Sequence, residues 1–243
     1  MSRWKVSGIH LLLSCAIVGA VLAFMVSVWY RWPLFMVAGG AGITLILAGV
    51  DVTLGPLITL IIFKAGKKGL KFDLTFIALV QFAALAYGVH VVYVTRPVYL
   101  VFAIDRFVLV TAVDLDPGDL AKATDPRFRS LPLGPASYIA AVLPSDPKER
   151  TDLLFSGLAG KDLELFPRYY AAYEPQAQNA VKRGREIGIL EKRDPAAVRG
   201  FLDSAGRSPE SVKFLPLRAR VDAAVLIDAT TGAPLGIVKV NPW

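Results

Sequence analysis

Apolar positions along this chain follow two regimes. Up to Thr95 they come in long, nearly unbroken runs; beyond it they come in short blocks separated by proline, glycine and charge. Three runs, about 6–30, 34–63 and 72–95, exceed the roughly 20 residues that a helix needs to cross a ~30 Å hydrocarbon core. Arg3 and Lys5 precede the first, and Trp29, Tyr30 and Trp32 close it as an interfacial aromatic belt. Its length favours an uncleaved helix over a signal peptide ending at Val21-Leu22-Ala23 or a lipoprotein site at Cys15. Arg31-Trp32-Pro33 reads as a short turn that makes the second run the antiparallel neighbour of the first. As one straight helix the second run would measure ~45 Å, so it must tilt, bend or stop early. Gly55-Pro56 is the place for the bend.

Past Arg96-Pro97 the pattern predicts strands over 98–104 and 107–113, joined at Asp105-Arg106 by a hairpin, a bulge or a bend. Residues 117–146, rich in proline and polar side chains, read as loop. Helices are expected at 147–158 with Asp146 as N-cap, at 169–190 with an interruption or offset at Pro175, and at 194–204 with Asp194 as N-cap. Strands at 224–228 and 235–240 around the turn Ala229–Gly232 form the clearest hairpin. The expected architecture is therefore a membrane protein. An N-terminal three-helix transmembrane bundle (1–95) precedes an extracytoplasmic α+β domain (96–243), in which early strands pair with the late hairpin and helices cover one face.

Composition sharpens this picture. The chain is 54% hydrophobic with mean hydropathy +0.50, too apolar for an ordinary soluble domain. The net charge of +7 looks like a nucleic-acid signal until it is located. Residues 1–95 carry seven basic and two acidic side chains, and residues 96–243 carry twenty and eighteen. The polar half is near balance and has no basic footprint, so no nucleic acid is expected as partner. Arg3 and Lys5, with Lys64, Lys67, Lys68 and Lys71 in the loop after the second run, put six positive charges on one side; the opposite short loop has Arg31. That bias places the N-terminus and the lysine loop in the cytoplasm and the 96–243 domain outside it. One cysteine excludes an internal disulfide and argues against a cysteine metal site. His10 and His90 both lie in apolar runs, which leaves the polar half without a base titrating near neutrality. We expect no catalytic residue, no metal and no cofactor.

The residues that stand out are polar ones inside apolar runs. Asp51 and Thr53, followed by Gly55-Pro56, sit within the second run, where a charge near the bilayer centre costs roughly 2.5–3.5 kcal/mol. Pro56 frees the carbonyl of Val52. Gln81 shares a helix face with Ala84 and Gly88 in the third run. At 1.5 Å per residue, Asp51 lies ~18 Å and Gln81 ~13–14 Å from the cytoplasmic ends of their spans. Gln81, Thr53 or a water is thus expected to satisfy Asp51. The plainer alternative is that Asp51 is a tolerated polar residue packed against a neighbouring helix. Arg96 and the pair Asp105-Arg106 are further candidates at the start of the outer domain, against the simpler reading of the aspartates as turn formers and surface ion-pair members.

These residues also carry a resemblance. Gly49-Val50-Asp51-Val52-Thr53-Leu54-Gly55-Pro56-Leu57-Ile58-Thr59, then Lys71-Phe72-Asp73-Leu74, Gln81 with Ala84-Leu85 and Tyr87-Gly88, Arg96-Pro97-Val98, Phe102, Asp105-Arg106-Phe107 and Pro242-Trp243 resemble the TfpX/TfpZ family of type IV pilin accessory proteins. The likeness is densest from Gly49 to Asp114 and looser from Thr124 to Asp222. It implies a bacterial inner-membrane protein that supports assembly or function of a cognate type IV pilin, without enzymatic activity. The oligomeric state is left open. A different class of function, a membrane sensor or ion- or proton-linked transport component centred on Asp51, requires a water path to that carboxylate.

Overall fold

The computed structural model describes residues 2–243 and divides into two compact units. A helical unit comprises the chain up to Val28 together with Gly40–Thr95; a sheet unit comprises Trp29–Gly39 and Arg96–Trp243.

In the helical unit, α1 (Arg3–Val28) and α5 (Leu70–Val94) are both long and apolar enough to cross a membrane. Between them in sequence run α3 (Gly40–Ala48), a π-helical segment (Gly49–Leu54) and α4 (Gly55–Ile62), following one another without a break. The π winding lies immediately ahead of Gly55-Pro56, the place where the sequence suggests a bend. Pro56, at the start of α4, has no N–H to offer the preceding turn, and a wider turn absorbs the mismatch. Both α1 and α5 pack against α4 and the π segment.

The second apolar run does not begin at Leu34 as one helix. Leu34–Val37 is a separate short helix, α2, in the sheet unit. Gly39 then turns the chain with φ +77°, a conformation that favours glycine, and a Cβ there would stand 2.5 Å from Cδ of Arg220. Residues 29–39 therefore form a strap rather than a simple turn. Leu34 and Val37 are buried in the core of the sheet unit, Val37 carbonyl accepts from Val221 N at 2.9 Å, and Trp29 Nε1 donates to Leu133 carbonyl at 2.9 Å.

Among the described residues, the sheet unit is built on one mixed sheet of eight strands. They are β1 (Pro97–Ala103), β2 (Arg106–Thr111), β3 (Ser137–Ala141), β4 (Tyr170–Ala172), β5 (Arg185–Glu186), β6 (Val212–Arg218), β7 (Ala223–Asp228) and β8 (Pro234–Val238). The order is β4-β3-β1-β2-β6-β7-β8, with β5 also paired to β6. β1–β3 and β2–β6 are parallel; the other pairs are antiparallel. The early hairpin forms, in register Phe102↔Phe107, with a two-residue turn at Ile104-Asp105 in which Ile104 takes φ 61°. It reaches the late hairpin through β6, a strand that the sequence pattern does not announce.

The helices are α6 (Pro117–Leu120), α7 (Pro147–Leu158), α8 (Ala177–Arg183), α9 (Gly188–Glu191) and α10 (Pro195–Ala205). The expected caps are in place: Asp146 accepts from Lys148 N and Asp194 from Ala197 N. The helix expected over 169–190 with a break at Pro175 is instead β4, a 3-10 turn at Glu174–Gln176, α8, β5 and α9; α8 starts just after Pro175, but β4 and β5 replace helix on either side of it. Alternation along the strands sends side chains to two cores. Leu100, Phe102, Phe107 and Leu109 pack with α2 and α8 residues on one face, whereas Tyr99, Val101, Val108 and Val110 pack with residues of α6 and α7 on the other. A third cluster joins α9 and α10 to β6, β7 and β8. Helices thus cover both faces, so the domain is α/β on a mixed sheet and not α+β with one covered face.

Candidate functional site

The polar residues of the helical unit meet where α1, the π segment and α5 come together. Asp51 would look five residues on, to Pro56, for the donor of a π-type hydrogen bond, and proline has none to give. Gln81 on α5 replaces it: Nε2 donates to the Asp51 carbonyl at 3.3 Å. Gly55 makes room for this amide, since a Cβ there would lie 1.9 Å from Gln81 Nε2. On the other flank, Ser7 Oγ donates to the Pro56 carbonyl at 2.8 Å, and His10 Nδ1 and Thr59 Oγ1 share a hydrogen bond of 2.7 Å. Asp51 is 5% exposed, and its Oδ1 has no hydrogen-bond partner among the described residues. It lines a cavity of about 480 Å³ bounded by α1 and α5. The cavity walls are mostly apolar, with His10, Ser14, Thr75 and Gln81 as the other polar members.

A second convergence lies at the β1–β2 turn of the sheet unit. Asp105 and Arg106 form a two-toothed pair, with Nε–Oδ1 at 2.8 Å and Nη2–Oδ2 at 3.3 Å. The hydrogen bond from Arg106 holds the Asp105 carboxyl below the ordinary carboxylate range. The same guanidinium stacks over the Trp243 ring at 5.1 Å, and Trp243 Nε1 donates to Asp222 at 2.9 Å. Arg193 donates to the carbonyl oxygens of Asn241 and Trp243 and fixes that segment. Nearby, Glu164 pairs with Arg218, yet burial pushes its carboxyl above the ordinary range; desolvation outweighs the ion pair there.

Comparison with known proteins gives a consistent set of relatives. The fimbrial assembly proteins of Dichelobacter nodosus serogroups I and E1 are each 28% identical to this chain over 219 residues, which covers 88% of the chain and 85% of the relative. The fimbrial assembly protein of serogroups C1 and C2 is 32% identical over 121 residues, 49% of this chain and 92% of that protein. The chain belongs to the fimbrial assembly protein family. No family model matches it, and no solved structure is similar to it. For the serogroup I and E1 members the match takes in both units, so the likeness to the family is not confined to the apolar helices.

In this member of the family, Asp51, Gly55, Pro56 and Gln81 are brought together, but not as the sequence suggests. Gln81 serves the Asp51 backbone rather than its carboxylate. Thr53 is exposed on the π segment, and Gly88 is half-buried further along α5. Arg96 is buried in the sheet unit, where Nη2 donates to Pro132 carbonyl at 3.2 Å and its own carbonyl accepts from Ala112 N. Asp105 and Arg106 form the second cluster. Sequence reasoning missed Ser7 and Thr59 as partners. The signal was there: Ser7, His10 and Ser14 fall at i, i+3 and i+7, one polar stripe on an otherwise apolar helix.

Proposed function

We propose that this chain is a bacterial inner-membrane accessory protein that supports assembly or function of a type IV pilin by direct, non-catalytic contact. Its N-terminus is cytoplasmic and its sheet unit periplasmic. The observation that carries the reading is the match to fimbrial assembly proteins over most of the chain. The likeness of the Gly49–Thr59 and Arg96–Phe107 motifs to the TfpX/TfpZ family narrows fimbriae to type IV pilins. Three membrane crossings are supported by parity. Trp29–Gly39 and Arg96–Trp243 belong to one unit, so the chain leaves that unit after Gly39 and rejoins it at Arg96. If α5 crosses once, a return to the same side needs a second crossing. The helical run over residues 40–62, ~33 Å long at 1.5 Å per residue, is long enough to supply it. The non-catalytic part rests on the histidines, both of which lie in apolar helices.

The test is photo-crosslinking in fimbriated cells, with a probe at Leu143, exposed on the sheet unit, and another at Leu85, which lines the α1–α5 cavity. The expected product is a band containing the pilin from at least one position. No pilin from either position, nor from a scan of the exposed sheet-unit surface, contradicts direct contact.

A further inference from the structure

The cavity between α1 and α5 holds a carboxylate that the helical unit leaves unanswered. Asp51 is almost fully buried, faces the cavity, and its Oδ1 has no hydrogen-bond partner among the described residues. Gln81 Nε2 donates to the Asp51 carbonyl and His10 Nδ1 shares a hydrogen bond with Thr59, and neither side chain is hydrogen-bonded to Oδ1. Around this point the groove walls are apolar and open: Leu13, Ile17, Leu79 and Phe82 are all exposed. The cavity, at about 480 Å³, runs along α1 from His10 to Val18 and along α5 from Thr75 to Leu85, a groove ~12–15 Å long, or two to three helical turns.

We propose that this groove seats a membrane-spanning helix of a partner, which places one hydrogen-bond donor (a hydroxyl, amide or ammonium) against Asp51. The proposal rests on the membrane reading above and adds where, and by what chemistry, a partner is held. In hydrocarbon an unsatisfied polar oxygen is costly, and the cost is removed by any occupant that brings a donor. A lipid chain fills apolar space but brings none. A second copy of this chain, pressing its own groove walls into the first in parallel, brings Leu13, Ile17, Leu79 and Phe82, and its one exposed donor there, Thr75, lies six residues or ~9 Å along α5 from Gln81, away from the level of Asp51. An apolar helix with one polar side chain at the level of Asp51 fits both the walls and the floor, the arrangement by which helices in membranes find specific neighbours.

The experiment uses the full-length protein in lipid nanodiscs and two synthetic Leu/Ala membrane-spanning helices, one with a single central asparagine and one with leucine there. Association is followed by energy transfer. The asparagine helix is expected to bind about tenfold tighter than the leucine helix. Asp51→Leu should erase that preference. Ala78→Phe, an exposed change that fills the groove from α5, should weaken both helices while leaving the fold intact, which covers the case in which Asp51→Leu does not fold. Equal binding of the two helices, an unchanged preference in Asp51→Leu, or undiminished binding in Ala78→Phe overturns the proposal. So does binding of neither helix by a self-associated protein. The outcome is independent of the pilin: a donor preference without any pilin crosslink leaves the groove standing and removes the pilin reading, and the converse removes only the groove.

Discussion

The two units sort their side chains in opposite directions. In the helical unit Leu12, Leu45, Ile61, Phe72 and Phe82 face outward, while Ser14, Asp51 and Thr59 are buried. In the sheet unit Phe107, Phe214, Leu215 and Leu226 are sealed inside, and most ion pairs, such as Lys122–Asp119 and Arg199–Glu191, lie at the surface. The same physics gives both results if the surroundings differ. An exterior of leucine and phenylalanine is a stable surface only in an apolar medium, where polar groups must find partners within the protein. The strap over Trp29–Gly39 makes the contrast sharper. It lies in sequence between two runs of the helical unit, yet it buries Leu34 and Val37 and follows the rule of the sheet unit.

The largest effect expected from breaking this contrast is at the strap. Val37 is fully buried, so Val37→Asp should destabilise the sheet unit by about 4 kcal/mol or more, the cost of an unpaired charge in a packed core. Leu45→Asp, on the exposed surface of α3, should leave the urea midpoint of the sheet unit unchanged. A second test concerns the close approach in the helical unit. Gly55→Val should cost roughly 2–4 kcal/mol by driving Gln81 away from the Asp51 carbonyl. Gln81→Ala should make the same change milder, with a coupling of ~1–2 kcal/mol in a double-mutant cycle read by unfolding in detergent micelles. If the two changes are additive, Gln81 is not what requires a glycine at 55.

A smaller effect is expected at Asp228, which holds the turn of the late hairpin. Its carboxylate accepts from Thr230 N and Thr231 N and pairs with Arg207. The backbone hydrogen bonds hold its carboxyl below the ordinary range. Asp228→Ala should cost ~1 kcal/mol at neutral pH, where the carboxylate is charged in both folded and unfolded chains. A depressed folded value means that this stabilisation is full above about pH 4 and is lost as pH falls through the folded value. The gap between wild type and Asp228→Ala in urea midpoints should therefore close in acid. Asp119, held low mainly by its hydrogen bond with Lys161, should contribute with the same sign.

Much of this was legible in the sequence because local signals agreed with the final packing. Asp-Pro pairs marked the starts of α7 and α10, and the runs over 98–104 and 224–228 were apolar enough to be strands wherever they paired. What was not legible depends on distant partners. β6 contains Pro216, which argues against a strand by local rules. It is tolerated because β5 pairs with Lys213 and Phe214, and β2 with Leu217 and Arg218, leaving Pro216 between them on that side. β3 sits inside a stretch rich in proline and polar residues, and its place beside β1 follows only from the parallel pairing Tyr99↔Ser137 onward. The strap looked like membrane because Leu34 and Val37 are apolar, and nothing local distinguishes a side chain that faces lipid from one that faces a protein core. At the site, Pro56 was visible as a helix breaker and Gln81 as a polar residue inside an apolar run. That Gln81 answers a carbonyl rather than a carboxylate depends on the π winding, which no spacing rule announces.

The most direct test of the account is side-specific labelling of single cysteines in the intact protein in cells, in a Cys15→Ser background, with a membrane-impermeant maleimide added from outside the inner membrane. Trp32→Cys on the strap and Leu143→Cys on the sheet unit are both exposed, and Lys68→Cys lies in the lysine loop. The account predicts labelling of the first two and protection of the third until the membrane is opened. Labelling of Lys68→Cys together with Trp32→Cys would mean that the Gly40–Ile62 run does not cross, and would contradict the three-crossing arrangement on which the partner groove depends.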